Sequence, residues 1–198
     1  MIITFLMPIS RIAEYKERPK SVCFQGSVEL GSINAGETVN LCSLSGECIE
    51  TTINDISVDT HGDINLTLPS VPAPHDYLHG FVLSSPNAVA PISKFIGRVR
   101  FLSHQQGGRS QALILTSTHY PSYEVIVNIY GQTYIVRPTL PPASDSPQVA
   151  TIEPGSTIDL KIDLGNRHVP LEPGSIFRLQ EGAKVVAEGA VVSLSLAQ

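Results

Sequence analysis

Charge is sparse in this sequence. Asp, Glu, Lys and Arg make up 16% of the 198 residues, and the balance is acidic, with 13 bases against 18 acids. Residues 1–90 hold four bases and ten acids, and residues 91–198 hold nine and eight. The halves are therefore near −6 and +1. Strong phosphate binding needs clustered positive charge, which the first half does not supply outside the short stretch Arg11 to Lys20. No apolar run approaches the roughly 20 residues of a membrane-spanning helix. The short apolar start, Met1 to Met7, lacks a basic flank and meets Pro8, so it reads as a strand and not as a signal peptide. There are only three cysteines, Cys23, Cys42 and Cys48. An odd number gives no closed disulfide framework. Cys42-x5-Cys48 is not zinc-ligand spacing, and reduced thiols in a cytoplasmic protein are the expectation. No Gly-x4-Gly-Lys-Ser/Thr loop occurs, so no backbone cradle for nucleotide phosphates is encoded here. Amphipathic helical periodicity is also missing.

Short alternating runs fill the chain instead, cut by fifteen glycines and fifteen prolines that are spread and not clustered. Val22, Phe24, Gly26 and Val28 fall at period two, Gly31, Asn34 and Gly36 follow, and Val39 and Leu41 resume. This reads as strand, turn, strand, a founding hairpin with a bulge or bend at Gly26. Ile2 to Leu6 reads as an edge strand, Ser10 to Lys20 as a polar excursion, and Asp63 to Leu68 as a half-buried strand. Phe81 to Leu83 is a last strand before Ser84 to Pro91, a small, polar stretch that makes the best boundary. In the second half Phe95, Gly97, Val99 and Phe101 face one way, and Ile96, Arg98 and Arg100 the other. Gly131-Gln132 marks a turn into Thr133 to Val136, Pro138 to Pro147 a loop, and Ile158, Leu160, Ile162 and Leu164 alternate cleanly. Phe177 to Gln180, Val185 to Glu188 and Val191 to Leu196 close the chain. Strands at this spacing imply an all-β protein, two tandem β-barrels over residues 1–88 and 89–198.

The order of motifs resembles a known family. Phe5-Leu6-Met7-Pro8-Ile9, then Val28-Glu29-x-Gly31-x-Ile33-x-x-Gly36, are similar to the opening of the second domain of elongation factor Tu and its relatives, the translational GTPases. Gly80-Phe81-Val82-Leu83-Ser84 resembles that domain's close. Phe95 to Leu102 with Gly107-Gly108-Arg109 resembles the start of the third domain, and Pro154-Gly155 and Phe177 to Gly189 its end. The resemblance implies two packed barrels. It also implies a GTP-binding domain ahead of Phe5, where this sequence has four residues. Asp59-Thr60-His61-Gly62 imitates the family's switch element, yet it lies between strands and reads as a polar turn. The family's second domain holds the aminoacylated end of tRNA, but the residues of that pocket are poorly kept. The acidic pair after Leu-Pro-Ile is Ser10-Arg11 here, two basic positions are Ser27 and Leu30, and the arginine before the closing strand is His79. Near the family's Tyr-Arg-Pro stands His119-Tyr120-Pro121.

Candidate sites are few. His75, Asp76 and His79 surround a proline loop where a metal is conceivable, and polar loop residues are the commoner case. Ser84-Ser85 and Ser117 lack the frame of a hydrolase nucleophile. Asp159 and Asp163 alternate with an apolar face and read as solvent-facing, with a two-carboxylate site as the weaker alternative. Arg98, Arg100 and Arg109, with His79 from the first half, are the residues expected at a partner or RNA surface, and a solvated strand face is the competing reading. The expected function is a non-catalytic, cytoplasmic binding module without a cofactor or metal. It would dock a protein of the translation machinery or a tRNA-like RNA, the protein somewhat ahead because of the acidic first half. The alternatives are the C-terminal part of a translational GTPase and, more weakly, a small-molecule-binding barrel with an apolar pocket.

Overall fold

The computed structural model describes residues 3–14, 21–69, 71–84, 91–116, 123–141 and 149–194. The chain is nearly all β and forms two compact units. One comprises Met1–Pro91 with Asn166–Pro170, and the other Ile92–Gly165 with Leu171–Gln198.

The first unit contains β1 (Phe5–Pro8), β2 (Arg11–Glu14), β3 (Ser21–Gly26), β4 (Leu30–Gly31), β5 (Thr38–Cys42), β6 (Cys48–Thr52), β7 (Asp55–Val58), β8 (Ile64–Pro69) and β9 (Phe81–Ser84). A short 3-10 turn, Pro74–Tyr77, precedes β9. The strands make two antiparallel sheets, ordered β4-β1-β9-β5-β6 and β2-β3-β8-β7. Both sheets send side chains into one core that includes Phe5, Met7, Phe24, Leu41, Leu66 and Val82.

Several expectations are corrected here. The stretch Ser21 to Leu41 is not a hairpin: β3 pairs with β2 and β8, and β5 pairs with β6 and β9. Alternation identifies strand residues but not their partners, and here each strand pairs with one sequence neighbour outside the stretch and one distant strand, β8 or β9. Gly26 is needed for a close approach. A Cβ there would lie 1.9 Å from the carbonyl oxygen of Pro8. The first strand is not an edge, because Phe5 and Leu6 pair with β4 on one side and β9 on the other. The polar excursion contains β2, paired with β3 from Arg11 to Glu14; residues 15–20 lie outside the described residues. The cysteines are not all reduced thiols. Cys42 and Cys48 form a disulfide with Cα atoms 4.1 Å apart, and Cys23 stays free and buried. The β5–β6 register sets the two directly opposite. Ser43 N–H donates to the Glu47 carbonyl just beyond them, so they form a non-hydrogen-bonded pair, the closer of the two antiparallel spacings.

The second unit contains β10 (Lys94–Phe101), β11 (Leu113–Thr116), β12 (Val125–Ile129), β13 (Gln132–Val136), β14 (Val149–Ile152), β15 (Thr157–Asp163), β16 (Ile176–Glu181) and β17 (Lys184–Leu194). Six form one sheet, ordered β13-β12-β16-β17-β10-β15, and β11 pairs with β14 in a second. Tyr130 and Gly131, both at positive φ, make the two-residue turn that joins β12 to β13. The two final strands expected from sequence are one, β17, with a register shift opposite Ile96/Gly97. On the inner face Phe177 meets Phe95 edge-to-face, ring centres 5.3 Å apart. Its ring tip occupies the room left by two glycines of neighbouring strands, since a Cβ on Gly97 or Gly189 would lie 2.4 Å from it. The turn after β10 is a 3-10 turn, His104–Gln106, closed by Gly107. The linker residues 85–90, most of the proline loop (142–148), Ser117, and His119-Tyr120-Pro121 lie outside the described residues. No helix among the described residues is long and apolar enough to cross a membrane.

Candidate interaction surface

The outward face of the six-stranded sheet carries two of the four expected residues. Strand β10 buries Phe95, Gly97, Val99 and Phe101 and turns Lys94, Ile96, Arg98 and Arg100 outward, because successive side chains alternate. The ladder then sets each cation opposite a carboxylate. Arg98 faces Asp159 of β15, and its Nε and one Nη donate to the two carboxylate oxygens at 2.9 and 3.2 Å. Lys94 faces Asp163 at 3.3 Å. Arg100 lies opposite Glu188 of β17 at 4.0 Å, and Arg178 of β16 reaches the same carboxylate from the other side at 3.7 Å. One row thus runs Thr133, Asn128, Arg178, Glu188, Arg100, Thr157 across all six strands.

Asp159 titrates below the usual carboxylate range because Arg98 hydrogen-bonds it, and the same bond holds the Arg98 proton more firmly. These groups remain largely exposed, so the pairs add little to stability. Their consequence is a surface of mixed sign. Arg98, Arg100 and Arg178 stand against Asp159 and Glu188, and Ile176, two residues before Arg178 on β16, is 63% exposed. Asp159 and Asp163 each serve their own cation, as the ladder register requires.

Arg109 is held elsewhere in this unit, and it is part-buried. Its guanidinium pairs with Glu181 and lies over the Tyr123 ring, 5.6 Å from the ring centre. The Tyr123 hydroxyl donates to the same Glu181 oxygen at 2.7 Å. Burial, and then the Glu181 carboxylate, push the Tyr123 phenol well above its ordinary pKa. Lys184 Nζ donates to the Gly108 carbonyl at 2.8 Å and fastens the same loop. His79 belongs to the first unit, exposed at positive φ, with its N–H donating to the Ile9 carbonyl. The structure therefore brings Arg98 and Arg100 onto one face and places Arg109 elsewhere in the same unit, while His79 belongs to the first unit. Arg178 and Glu188 were missed in sequence. The alternation of Arg178 with Phe177 and Leu179 was the available signal.

The Asp59 turn is built from its own carboxylate, which accepts from Gln25 Nε2 at 2.6 Å and from the N–H groups of His61 and Asp63 at 2.8 and 3.0 Å. The backbone bonds lower its pKa, the one from His61 most. Among the described residues no group of three or more His, Cys, Asp or Glu side chains is placed to hold a metal ion.

No family model matches the chain. It is 29% identical over 194 residues to Elongation factor Tu 2 of Streptomyces avermitilis, an alignment that covers 96% of this chain and 46% of that protein. The chain spans about half the length of that relative. The resemblance carried by the motifs thus extends as similarity to that protein along nearly all of this chain.

Proposed function

We propose that this chain is a non-catalytic binding module of the translation apparatus, and that it docks a protein through the outward face of the six-stranded sheet. One observation carries the choice of protein over RNA: every arginine of that face already reaches a carboxylate in the ladder, Arg100 and Arg178 sharing Glu188, and Ile176 is exposed on the same face. A phosphate-binding face needs clustered cations free to meet phosphates, whereas ion-paired arginines beside an exposed apolar side chain suit a protein partner. A cytoplasmic setting and independence from any cofactor belong to the same reading, as does the division into two barrels at residues 1–88 and 89–198. The test is fluorescence anisotropy with labelled tRNA across a salt series, alongside a photo-crosslinker placed at Ile176 in a translating extract. Crosslinks to a translation factor or ribosomal protein, with little tRNA binding at low salt, support the reading. Tight tRNA binding that weakens steeply with salt overturns it in favour of RNA.

A second reading rests on the alignment, which covers 46% of the relative. In it the chain is the C-terminal part of a translational GTPase. An open reading frame that continues upstream into a Gly-x4-Gly-Lys-Ser/Thr loop would establish that reading, and a frame without one would exclude it.

A further inference from the structure

Strands β14 and β15 follow one another through a turn closed by the Ser156 N–H to Glu153 carbonyl bond, yet they do not pair with each other. Among the described residues β14 pairs with β11 alone, and β15 is the outermost strand of the large sheet. Between them opens a cleft of about 640 Å³, lined by Leu140, Pro141, Val149, Ala150 and Ile158, with Arg98 and Asp159 at its rim. That volume is within the range of binding pockets, roughly 300–1,000 Å³.

The backbone of β15 defines what fits there. Thr139 and Lys161 exchange both N–H to carbonyl bonds, at 3.0 and 2.8 Å, in a single antiparallel bridge. The N–H and carbonyl of Lys161 therefore point away from β10. Hydrogen-bonding direction repeats every second residue of a strand, so those of Asp159 and Thr157 point the same way. On the other edge Phe101 N–H bonds to the Ser156 carbonyl, which keeps the even-numbered residues on the β10 side. Among the described residues nothing takes up the outward N–H and carbonyl groups of Asp159 and Thr157. Pro141 stands two residues after Thr139 and has no N–H to donate to Asp159, and among the described residues the pairing with the outer edge of β15 is the single Thr139–Lys161 bridge.

We propose that this cleft is a strand-addition site. It receives an extended polypeptide segment of a partner, which pairs antiparallel with Thr157–Asp159 in line with Thr139. Alternate side chains of the guest fall on Leu140, Val149 and Ile158, so β-branched residues at every second position fit. The Arg98–Asp159 pair at the rim is internally neutral, which favours an uncharged guest. The site shares those two residues with the outward face but does not depend on the reading of that face, so either can fail alone.

The test is residue-resolved amide exchange by NMR on the intact chain, using a blocked Val-Thr-Val-Thr-Val peptide in the low millimolar range as the probe. In the free protein, Thr157 and Asp159 exchange fast while Ile158 and Leu160 are protected. With peptide, exchange at Thr157 and Asp159 slows by about tenfold or more. The same peptide N-methylated at alternate amides leaves it unchanged. Thr157→Pro removes one outward N–H at the first position of the strand, where proline is tolerated, and weakens binding about tenfold or more. Should that variant fail to fold, Val149→Asp charges the exposed opposite wall and produces the same loss. The proposal is overturned if both amides are already protected in the free chain, if the peptide produces no change, or if the N-methylated peptide protects equally well.

Discussion

Substituting Gly97 by alanine puts a methyl group where the Phe177 ring already is. The new Cβ would lie 2.4 Å from Phe177 Cζ and 2.7 Å from Cε1, against a comfortable carbon–carbon separation of about 3.5–4.0 Å. The ring must retreat by about 1 Å. It has little freedom to do so, because Phe177 is fully buried, touches Phe95 edge-on and lies against the backbone of Gly189, where an added Cβ would also come within 2.4 Å of the ring. Overpacking of this kind costs about 1–3 kcal/mol. Alanine's lower backbone entropy in the unfolded chain offsets roughly 0.5–1 of that, leaving a net loss of about 1–2 kcal/mol. For a unit of about 100 residues this lowers the midpoint by several degrees. The assay is urea unfolding of the wild type, Gly97→Ala, Phe177→Leu and the double variant. Because both changes act through one ring, the double variant should be more stable than the sum predicts by about 1 kcal/mol or more. If Gly97→Ala unfolds within about 0.5 kcal/mol of the wild type, or if the two changes simply add, the reasoning is wrong.

Further outcomes follow from other sites. Reducing the Cys42–Cys48 bond opens a short loop, so the loss is bounded at about 2 kcal/mol by chain entropy; thermal unfolding with and without reductant measures it, and alkylation of freshly lysed cells reports its state in vivo. Asp59 titrates low in the folded chain, so its contribution is present above the ordinary carboxylate pKa and disappears as pH falls through the folded value. Asp59→Asn should therefore flatten the acid limb of the stability curve, and an unchanged limb would remove Asp59 from the account. The Tyr123 phenol should ionise well after an ordinary tyrosine in an absorbance titration, and Glu181→Gln should bring it down by removing the carboxylate beside it. Since its folded pKa is raised, the stability tied to it holds below about pH 10 and falls as pH rises beyond.

Much of the architecture could be read directly from alternation. The in-and-out order of β10 and β15 matches the residues named from periodicity, down to Arg98 and Arg100 sharing a face. What alternation does not carry is pairing. Val22 and Val39 are neighbours in sequence pattern, yet their strands lie in different sheets, because a strand's face is set locally while its partner is chosen by the whole core. The same gap hid the site. Glu188 meets Arg100 and Arg178 only once three strands are in register, and nothing around any one of them announces the others. The cysteines were misread for the same reason: a spacing wrong for zinc is right for two residues facing across a hairpin.

The hydrogen bonds that join Thr4 to Ser84 span 80 positions of chain. In the first unit, β1 therefore stays without a main-chain partner along Met7 and Pro8 until β9 has been made. A ribosome releasing this chain would expose an apolar opening strand for most of the unit's synthesis, and the earliest residues would be the last to find shelter. Shortening the unit from its far end, even by the four residues of β9, would leave Phe5, Leu6 and Met7 bare on a sheet edge, an invitation to aggregate.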